Sequence, residues 1–392
     1  MRSTFFKIIM LIIFFFGLNN YIFAENAVDF VQEAKLIYIV TACGTCDLPS
    51  GIDESLAATH CRDIKRQIEN VRKNFVNKAR PFISSLLPSN LPKQVIYPFG
   101  GGDLLTALVT YPDASEITTI SLESAGDPRR LGKAKMQELR DSLSEFRKMA
   151  VHLLVNHDSK NGNLRAFERG IIPGQLAFAL TAAAVYGYEP VSLKYFRIEP
   201  DGKIYYFTKT DIAKLENVKG KKLAKFWVDT DFSIVFRNME LTLKKTSNST
   251  GPEIIVHRHI AANLDNQNFS NSPLKKHLES KGKISAMTKA GSYLYWMKDF
   301  SVFREYTLAN MTFMISDSTG ILPHHAKAAG FEQITYGKFH GAFLDNDGGE
   351  DAAALRQHFK SQPYRELPFR YGYSDTKAAN HLMVTKPKTS VK

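Results

Sequence analysis

Residues 94–123 read Gln94-Val95-Ile96-Tyr97-Pro98-Phe99-Gly100-Gly101-Gly102-Asp103-Leu104-Leu105-Thr106-Ala107-Leu108-Val109-Thr110-Tyr111-Pro112-Asp113-Ala114-Ser115-Glu116-Ile117-Thr118-Thr119-Ile120-Ser121-Leu122-Glu123. Residues 94–99 form a short apolar run with strand character, and three glycines then make a tight loop closed by Asp103. Leu104, Leu105 and Leu108 share a helical face, so residues 104–110 predict a short helix. Residues 111–115 carry turn chemistry, and residues 116–122 predict a second strand that ends at Glu123. Strand, glycine loop, helix, strand and acid, in that order, begin a doubly wound α/β sheet. Ligands of such sheets sit beyond the carboxyl ends of the strands. Gly100, Gly101, Gly102, Asp103 and Glu123 fall there, and are the first candidate ligand-binding residues.

Downstream, Met136, Leu139, Leu143, Phe146 and Leu153 place a helix over residues 133–154. Residues 157–163 read as a polar loop, and residues 174–186 as an almost wholly apolar, buried helix. A strand-rich insertion follows at about 190–265. It holds a hairpin of residues 193–198 and 203–208 around Pro200-Asp201-Gly202, then strands at 233–237 and 254–260. Alternation of helix and strand resumes with a helix at 300–310, a buried strand at 311–316 and the turn Asp317-Ser318-Thr319-Gly320. A short helix at 323–330, a strand at 331–339, a helix at 351–360 and a last strand at 381–385 complete the pattern. Asp317 and Ser318, at a strand end, join the candidate ligand-binding residues. These elements make residues 93–388 one α/β domain.

Upstream, Arg2 and Lys7 precede an apolar run at 8–18, and Ala24 stands before Glu25. That is the three-part build of a secretory signal peptide over residues 1–24, and the run is short for a bilayer span. An uncleaved membrane anchor is the alternative. Loss of Arg2 and Lys7 takes the net charge from +12 to +10. No later stretch is apolar enough to span a bilayer, so the mature chain is expected in the periplasm or outside the cell.

Cys43, Cys46 and Cys61 are the only cysteines. In an oxidising compartment they are disulfide candidates, with Cys61 pairing to Cys43 or Cys46. The alternative is a redox pair Cys43–Cys46 after a strand-like run at 36–40, but Pro49 and Gly51 oppose the helix that would activate it. From Asp53, a helix-capping residue, Cys61, Ile64, Ile68, Val71 and Phe75 recur at helical spacing, which with Pro88 and Pro92 defines an N-terminal helical region at 25–92. Its outer face carries Arg62, Lys65, Arg66, Arg72, Lys73, Lys78 and Arg80 against Asp63 and Glu69. Such a face is a solvated surface or a contact for phosphate or for an anionic membrane surface. No aromatic residues interleave with the cations, so nucleic acid is not an expected partner.

An apolar share of 44% and a charged share of 23% exclude a disordered or collagen-like chain. No Gly-x-Ser-x-Gly elbow, His-Glu-x-x-His helix or Walker lysine is present. His257 and His259 alternate on a strand without a carboxylate at matching spacing, which favours packing over metal binding. His324 and His325, at a helix start, are expected to point apart. Asp345, Asp347, Glu350 and Asp351 mimic part of a calcium loop, but Gly349 stands where an oxygen ligand is needed, so no metal is expected. Asp317-Ser318-Thr319-Gly320 differs from an aspartic protease loop by an extra residue, and no second such loop exists. Asp103 has two readings, as a helix cap or as an acid–base or ribose-binding partner of Glu123.

Two resemblances add to this. The segments 97–103 and Ser121-Leu122-Glu123-Ser124-Ala125-Gly126 resemble those of a family of uncharacterised exported bacterial proteins, many of them lipoproteins. So do Ala290-Gly291-Ser292-Tyr293-Leu294, Phe300 with Arg304, residues 315–321, Tyr336-Gly337, and Leu367-Pro368-Phe369 with Gly372-Tyr373. Members often carry Ser or Pro in the glycine loop, and this chain lacks their lipobox cysteine. The second resemblance is to the fold of class I S-adenosylmethionine-dependent methyltransferases. It rests on the glycine loop with its acid, on Ala328-Ala329-Gly330-Phe331-Glu332 entering a strand, and on a closing strand at His381. It implies a Rossmann-like, methyltransferase-like sheet, cofactor contacts from Gly100, Gly101 and Gly102, and a ribose contact from Glu123. That cofactor is cytoplasmic and this chain carries an export signal, so the cofactor stays unassigned. The expected function is ligand binding or envelope-associated action without demonstrated catalysis. The alternatives are an enzyme built on the pocket at 100–103, with Glu123 or Asp317 as working acid, and an interaction protein using the basic helix at 53–87.

Overall fold

The computed structural model describes residues 25–43, 54–154, 171–220, 233–246, 251–340, 349–372 and 380–388. Residues 1–24, Cys46, Asp53, the loop at 157–163, Asp345 and Asp347 lie outside them. No described helix is long and apolar enough to cross a membrane.

The centre is a ten-stranded sheet. Its strands are β1 (Gln94–Pro98), β2 (Glu116–Ser121), β3 (Tyr188–Ile198), β4 (Ile204–Tyr206), β5 (Asn238–Lys245), β6 (Ile254–Ala261), β7 (Ile284–Thr288), β8 (Met311–Ser316), β9 (Phe331–Lys338) and β10 (Asn380–Pro387). They lie in the order β4-β3-β5-β6-β2-β1-β7-β8-β10-β9. The five strands β6, β2, β1, β7 and β8 are parallel. On one flank the antiparallel β5, β3 and β4 extend the sheet, and on the other β10 runs antiparallel between β8 and β9. The strands expected at 190–265 therefore extend the central sheet, and β6 belongs to its parallel part.

Successive residues of a strand point to opposite faces. Val95 and Tyr97 of β1 enter one apolar core, and Ile96 enters another. The first core is covered by α1 (Val31–Ala42), α2 (Glu54–Val71), α3 (Asn77–Ser84), α4 (Leu104–Thr110), α5 (Met136–Leu154) and α6 (Gly174–Tyr186). The second is covered by α8 (Asn266–Phe269), α9 (Pro273–Glu279), α10 (Ser301–Asn310) and α11 (Pro323–Ala328). Helix α7 (Lys209–Leu215) adds Ile212 to the first core, and α12 (Gly349–Ser361) packs Ala352 and Leu355 in a third cluster with Met383 of β10. Both faces of the parallel strands are thus buried, as parallel sheets require.

Several expectations change. The strand-like run at 36–40 belongs to helix α1, whose Ala34, Ile37 and Val40 pack in the first core. A short apolar run does not separate a buried helix from a strand, and here twelve continuous residues and close packing on α6 and β3 decide for the helix. The strand expected at 233–237 is a 3-10 turn, Ile234–Phe236, and the strand starts at Asn238. Ser233 caps that turn by accepting from the Val235 N–H at 3.3 Å. His324 and His325 do not point apart, since their ring centroids lie 4.0 Å from each other. Neighbours in a helical first turn diverge at Cα, but their side-chain torsions bring the rings together.

Of the three cysteines, Cys43 and Cys61 are bonded to each other, tying the end of α1 to α2. Two cations of the basic face serve the fold. Arg72 donates through Nε to the Val185 carbonyl and through Nη2 to the Ala184 carbonyl, both at 2.7 Å, at the carboxyl end of α6. Arg80 lies over the Tyr186 ring, 5.1 Å from its centroid.

Candidate functional site

In the parallel block the chain runs from β1 to β2 and β6 on one side, and then through β7 and β8 on the other. The winding direction reverses between β1 and β7. In doubly wound sheets a ligand crevice lies where loops diverge beyond the carboxyl ends of two such strands. The loops at that place here are those that follow β1, at 99–103, and β7, at 289–293.

A local backbone signal marks the same place. Five described non-glycine residues have φ in the left-handed region, and four of them, Phe99, Ala290, Ser292 and Tyr293, belong to these two loops. Side chains disfavour that region, and such strain persists only where the surroundings over-determine it. Phe99 is held by edge-on contacts with Tyr295, Phe300 and Phe303, at centroid distances of 5.4, 5.8 and 5.9 Å. Tyr293 is packed in the same way on Trp296 at 4.6 Å.

Between these two loops, the Lys289 ammonium donates to Asp103 Oδ2 at 3.2 Å and to Thr106 Oγ1 at 3.3 Å. Asp103 Oδ2 also accepts from the Tyr97 hydroxyl at 3.0 Å. Burial first, and then the Asp103 charge, push the Tyr97 hydroxyl well above its ordinary range, so it stays a donor. Asp103 Oδ1 accepts from the Thr106 N–H at 3.1 Å and caps α4. The capping reading of Asp103 holds, with an ion pair added to it.

Asp317 is engaged from the other side. Its Oδ2 accepts from the Ala290 N–H at 2.9 Å. Its Oδ1 accepts from the Thr319 N–H at 2.8 Å and from the Thr319 hydroxyl at 2.5 Å. The Thr319 hydroxyl oxygen accepts from the Gly291 N–H at 2.9 Å. Ser318 Oγ lies 3.2 Å from the Tyr293 hydroxyl. Asp317 thus holds the strained loop after β7 in place, and the geometry assigns it a positioning role.

Glu123 stands at the carboxyl end of β2 and is buried. With β1 and β7 between β2 and β8, three strand spacings separate it from Asp317, about 14 Å at the level of the strands. The two acids share one edge but do not act on a single atom. The Glu123 carbonyl lies 2.7 Å from His259 Nε2, so that nitrogen carries the hydrogen. Neutral His259 then accepts at Nδ1 from the Thr119 hydroxyl at 3.1 Å, and Thr119 accepts from His257 Nε2 at 3.0 Å. Burial lowers His257 to about 3 and His259 to about 4, so both rings stay neutral at physiological pH. The histidine pair is interior packing that anchors the loop after β2. Among the described residues, no cluster of three or more His, Cys, Asp or Glu side chains is arranged to hold a metal ion.

Helix α6 closes the glycine loop from outside. A Cβ on Gly102 would stand 3.0 Å from Gln175 Oε1 and 3.2 Å from the Phe178 Cβ. Pro173 meets Gly126 just as closely, at 2.5 Å from its Cβ position, so the start of α6 sits over the ends of β1 and β2.

Gly100–Gly102, Asp103, Glu123, Asp317 and Ser318 were legible as candidate site residues and 290–294 only as a family-like segment, whereas Lys289, Gln175 and β7 itself were not legible. A signal for β7 exists: Ile284-Ser285-Ala286-Met287-Thr288 is a short apolar run between Gly282 and Gly291. No family model matches the chain, and no curated protein is similar to it.

Proposed function

We propose that this is an exported protein that binds a small ligand at the carboxyl ends of β1, β2 and β7, on a methyltransferase-like sheet. The carrying observation is the coincidence of the winding reversal with the backbone strain: four of the five left-handed non-glycine residues among those described lie on the two loops that meet there. The parallel order β6-β2-β1-β7-β8 corresponds to the 3-2-1-4-5 part of a doubly wound sheet. The antiparallel β10, which contains His381, supports the closing strand that the methyltransferase resemblance implies. Export is supported by the signal-like residues 1–24 and by the Cys43–Cys61 disulfide.

Binding is favoured over methyl transfer. The outer side of Gly102 is filled by Gln175 and Phe178, and the Asp103 carboxylate is used up by Lys289, Tyr97 and the α4 cap. These residues do not fit an adenosyl cofactor lying along the glycine loop, so the expected ligand is smaller.

The test is thermal unfolding of the purified exported protein against nucleotides, adenosyl compounds, small organic acids and metal ions. A ligand at about a hundred times its Kd adds roughly 2.7 kcal/mol. Gly101 has φ +51°, where alanine costs about 1 kcal/mol, so Gly101→Ala should still fold. The ligand that stabilises the wild type is expected to stabilise this variant less. Equal stabilisation of both proteins would move the site away from the crevice, and a panel without any stabilising compound would remove the binding reading.

A further inference from the structure

Helix α6 begins against the glycine loop, and its own chain leaves its N-terminus uncapped. Pro173 offers no side-chain acceptor, and the first backbone bond into the helix runs from the Ala177 N–H to the Pro173 carbonyl at 2.8 Å. The N–H groups of Gly174, Gln175 and Leu176 are left without an intrahelical partner. All three residues are buried. A second and independent observation lies at the same point. Gln175 is 3% exposed, and neither its Nε2 nor its Oε1 has a hydrogen-bond partner among the described residues. Its carboxamide is turned to the glycine loop, with Oε1 3.0 Å from the Cβ position of Gly102. An unmet buried amide costs free energy, and so does a buried, uncapped helix end.

We propose that the N-terminus of α6 and the Gln175 carboxamide form a subsite for one compact oxyanion, a carboxylate or phosphate carried by the small ligand of the crevice. This rests on the ligand-binding reading above and adds the charge of the ligand. The helix end supplies N–H donors and a partial positive charge, and Gln175 Nε2 supplies a further donor. In dinucleotide-binding sheets the anion sits on the helix that follows the first strand. Here that helix is α4, whose N-terminus is taken by the protein's own Asp103 carboxylate. Among the described residues, the uncapped helix end at the glycine loop is that of α6, whose Gln175 and Phe178 approach Gly102.

The experiment compares thermal unfolding in sodium phosphate, sodium acetate and sodium chloride at equal ionic strength. The wild type is expected to gain about 2 °C or more over chloride in at least one of the two oxyanions. A response to acetate alone assigns a carboxylate, and a response to phosphate alone assigns a phosphate. Gln175→Met keeps the side-chain volume and removes the donor, and its response should be lost. Gln175→Glu puts a carboxylate of the protein at the helix end, so it should unfold higher in chloride and respond no further. It also decides the matter should Gln175→Met fail to fold. Retention of the wild-type response in either variant means adventitious ions on surface cations and overturns the subsite, as does a Gln175→Glu protein that unfolds below wild type in chloride. An unresponsive wild type overturns the subsite alone, because the crevice reading is decided separately by the ligand panel and Gly101→Ala.

Discussion

Lys289 and Asp103 meet where neither side chain reaches water, with side-chain exposures of 4% and 3%. Breaking such a pair from one side leaves a buried charge behind, at a cost of about 3–5 kcal/mol. Lys289→Met is expected to lose that much in urea unfolding. Adding Asp103→Asn should recover a large part, since the amide oxygen can still cap α4. A single variant within about 0.5 kcal/mol of wild type would show that the pair does not brace the crevice. Asp317→Asn turns an acceptor into a donor within a set of N–H and O–H donors, and about 1–3 kcal/mol of stability should go with it. The buried histidines set a pH dependence. His257 and His259 titrate near 3 and near 4 in the folded protein, against about 6.5 when unfolded. Their full stability is present above about pH 6.5 and is lost as pH falls toward the folded values, because the unfolded chain takes up protons that the folded one refuses. Unfolding free energy measured from pH 7 to pH 5 should fall by up to about 1.4 kcal/mol per pH unit for each ring. A His257→Gln, His259→Gln double variant with an unchanged slope would refute this assignment.

At the level of elements, α6 links fold and site. Its apolar residues bury it on every side, its amino end faces the glycine loop, and its carboxyl end receives Arg72. A guanidinium donating to the last carbonyls of a helix adds both hydrogen bonding and a favourable dipole interaction. Arg72→Gln should cost about 1–3 kcal/mol in chemical denaturation. Arg62→Gln and Lys73→Gln, on the exposed face, should stay within about 0.5 kcal/mol. Equal effects at Arg72 and Lys73 would contradict this division of the basic face. The Cys43–Cys61 bridge joins α1 to α2 over 18 residues of sequence, worth about 3 kcal/mol in the chain-entropy account. Reductant should lower the unfolding temperature accordingly, and peptide mapping without reduction should recover a Cys43–Cys61 peptide.

For the whole molecule, one continuous sheet carries the parallel centre and both antiparallel flanks. The amino-terminal segment is bound to the flank, where the Val28 N–H donates to the Phe207 carbonyl at 2.9 Å and the Phe30 N–H to the Leu193 carbonyl at 2.7 Å. Asp29 accepts from the Leu193 N–H at 2.9 Å and from the Ser192 hydroxyl at 2.6 Å. Cleavage after Ala24 would leave this segment whole. N-terminal sequencing of protein from its natural host should start at Glu25, and an intact Met1 would argue against signal removal.

Much of this architecture was legible in the chain because it depends on local order. The run Gln94–Glu123 carries its own period, its glycines and its capping Asp103, and the apolar stretch of α6 has no polar side to expose. β5 was missed, since the strand expected at 233–237 ends before it begins, although its Met239, Leu241 and Leu243 alternate inward. Long-range pairing could not be read in this way. Residues 36–40 became helix because α6 and β3 pack around them, and β7 is five residues long and gains its place only by pairing with β1 and β8. The site divides along the same line. The glycine loop and the three acids were visible as residue types, but Lys289 lies 186 residues from Asp103, and Gln175 lies far along the chain from Gly102. Residue order determines which segments can become strands and helices. Which strand ends become neighbours, and hence which buried charges must be matched across the crevice, follows from the packing of both faces of the sheet at once.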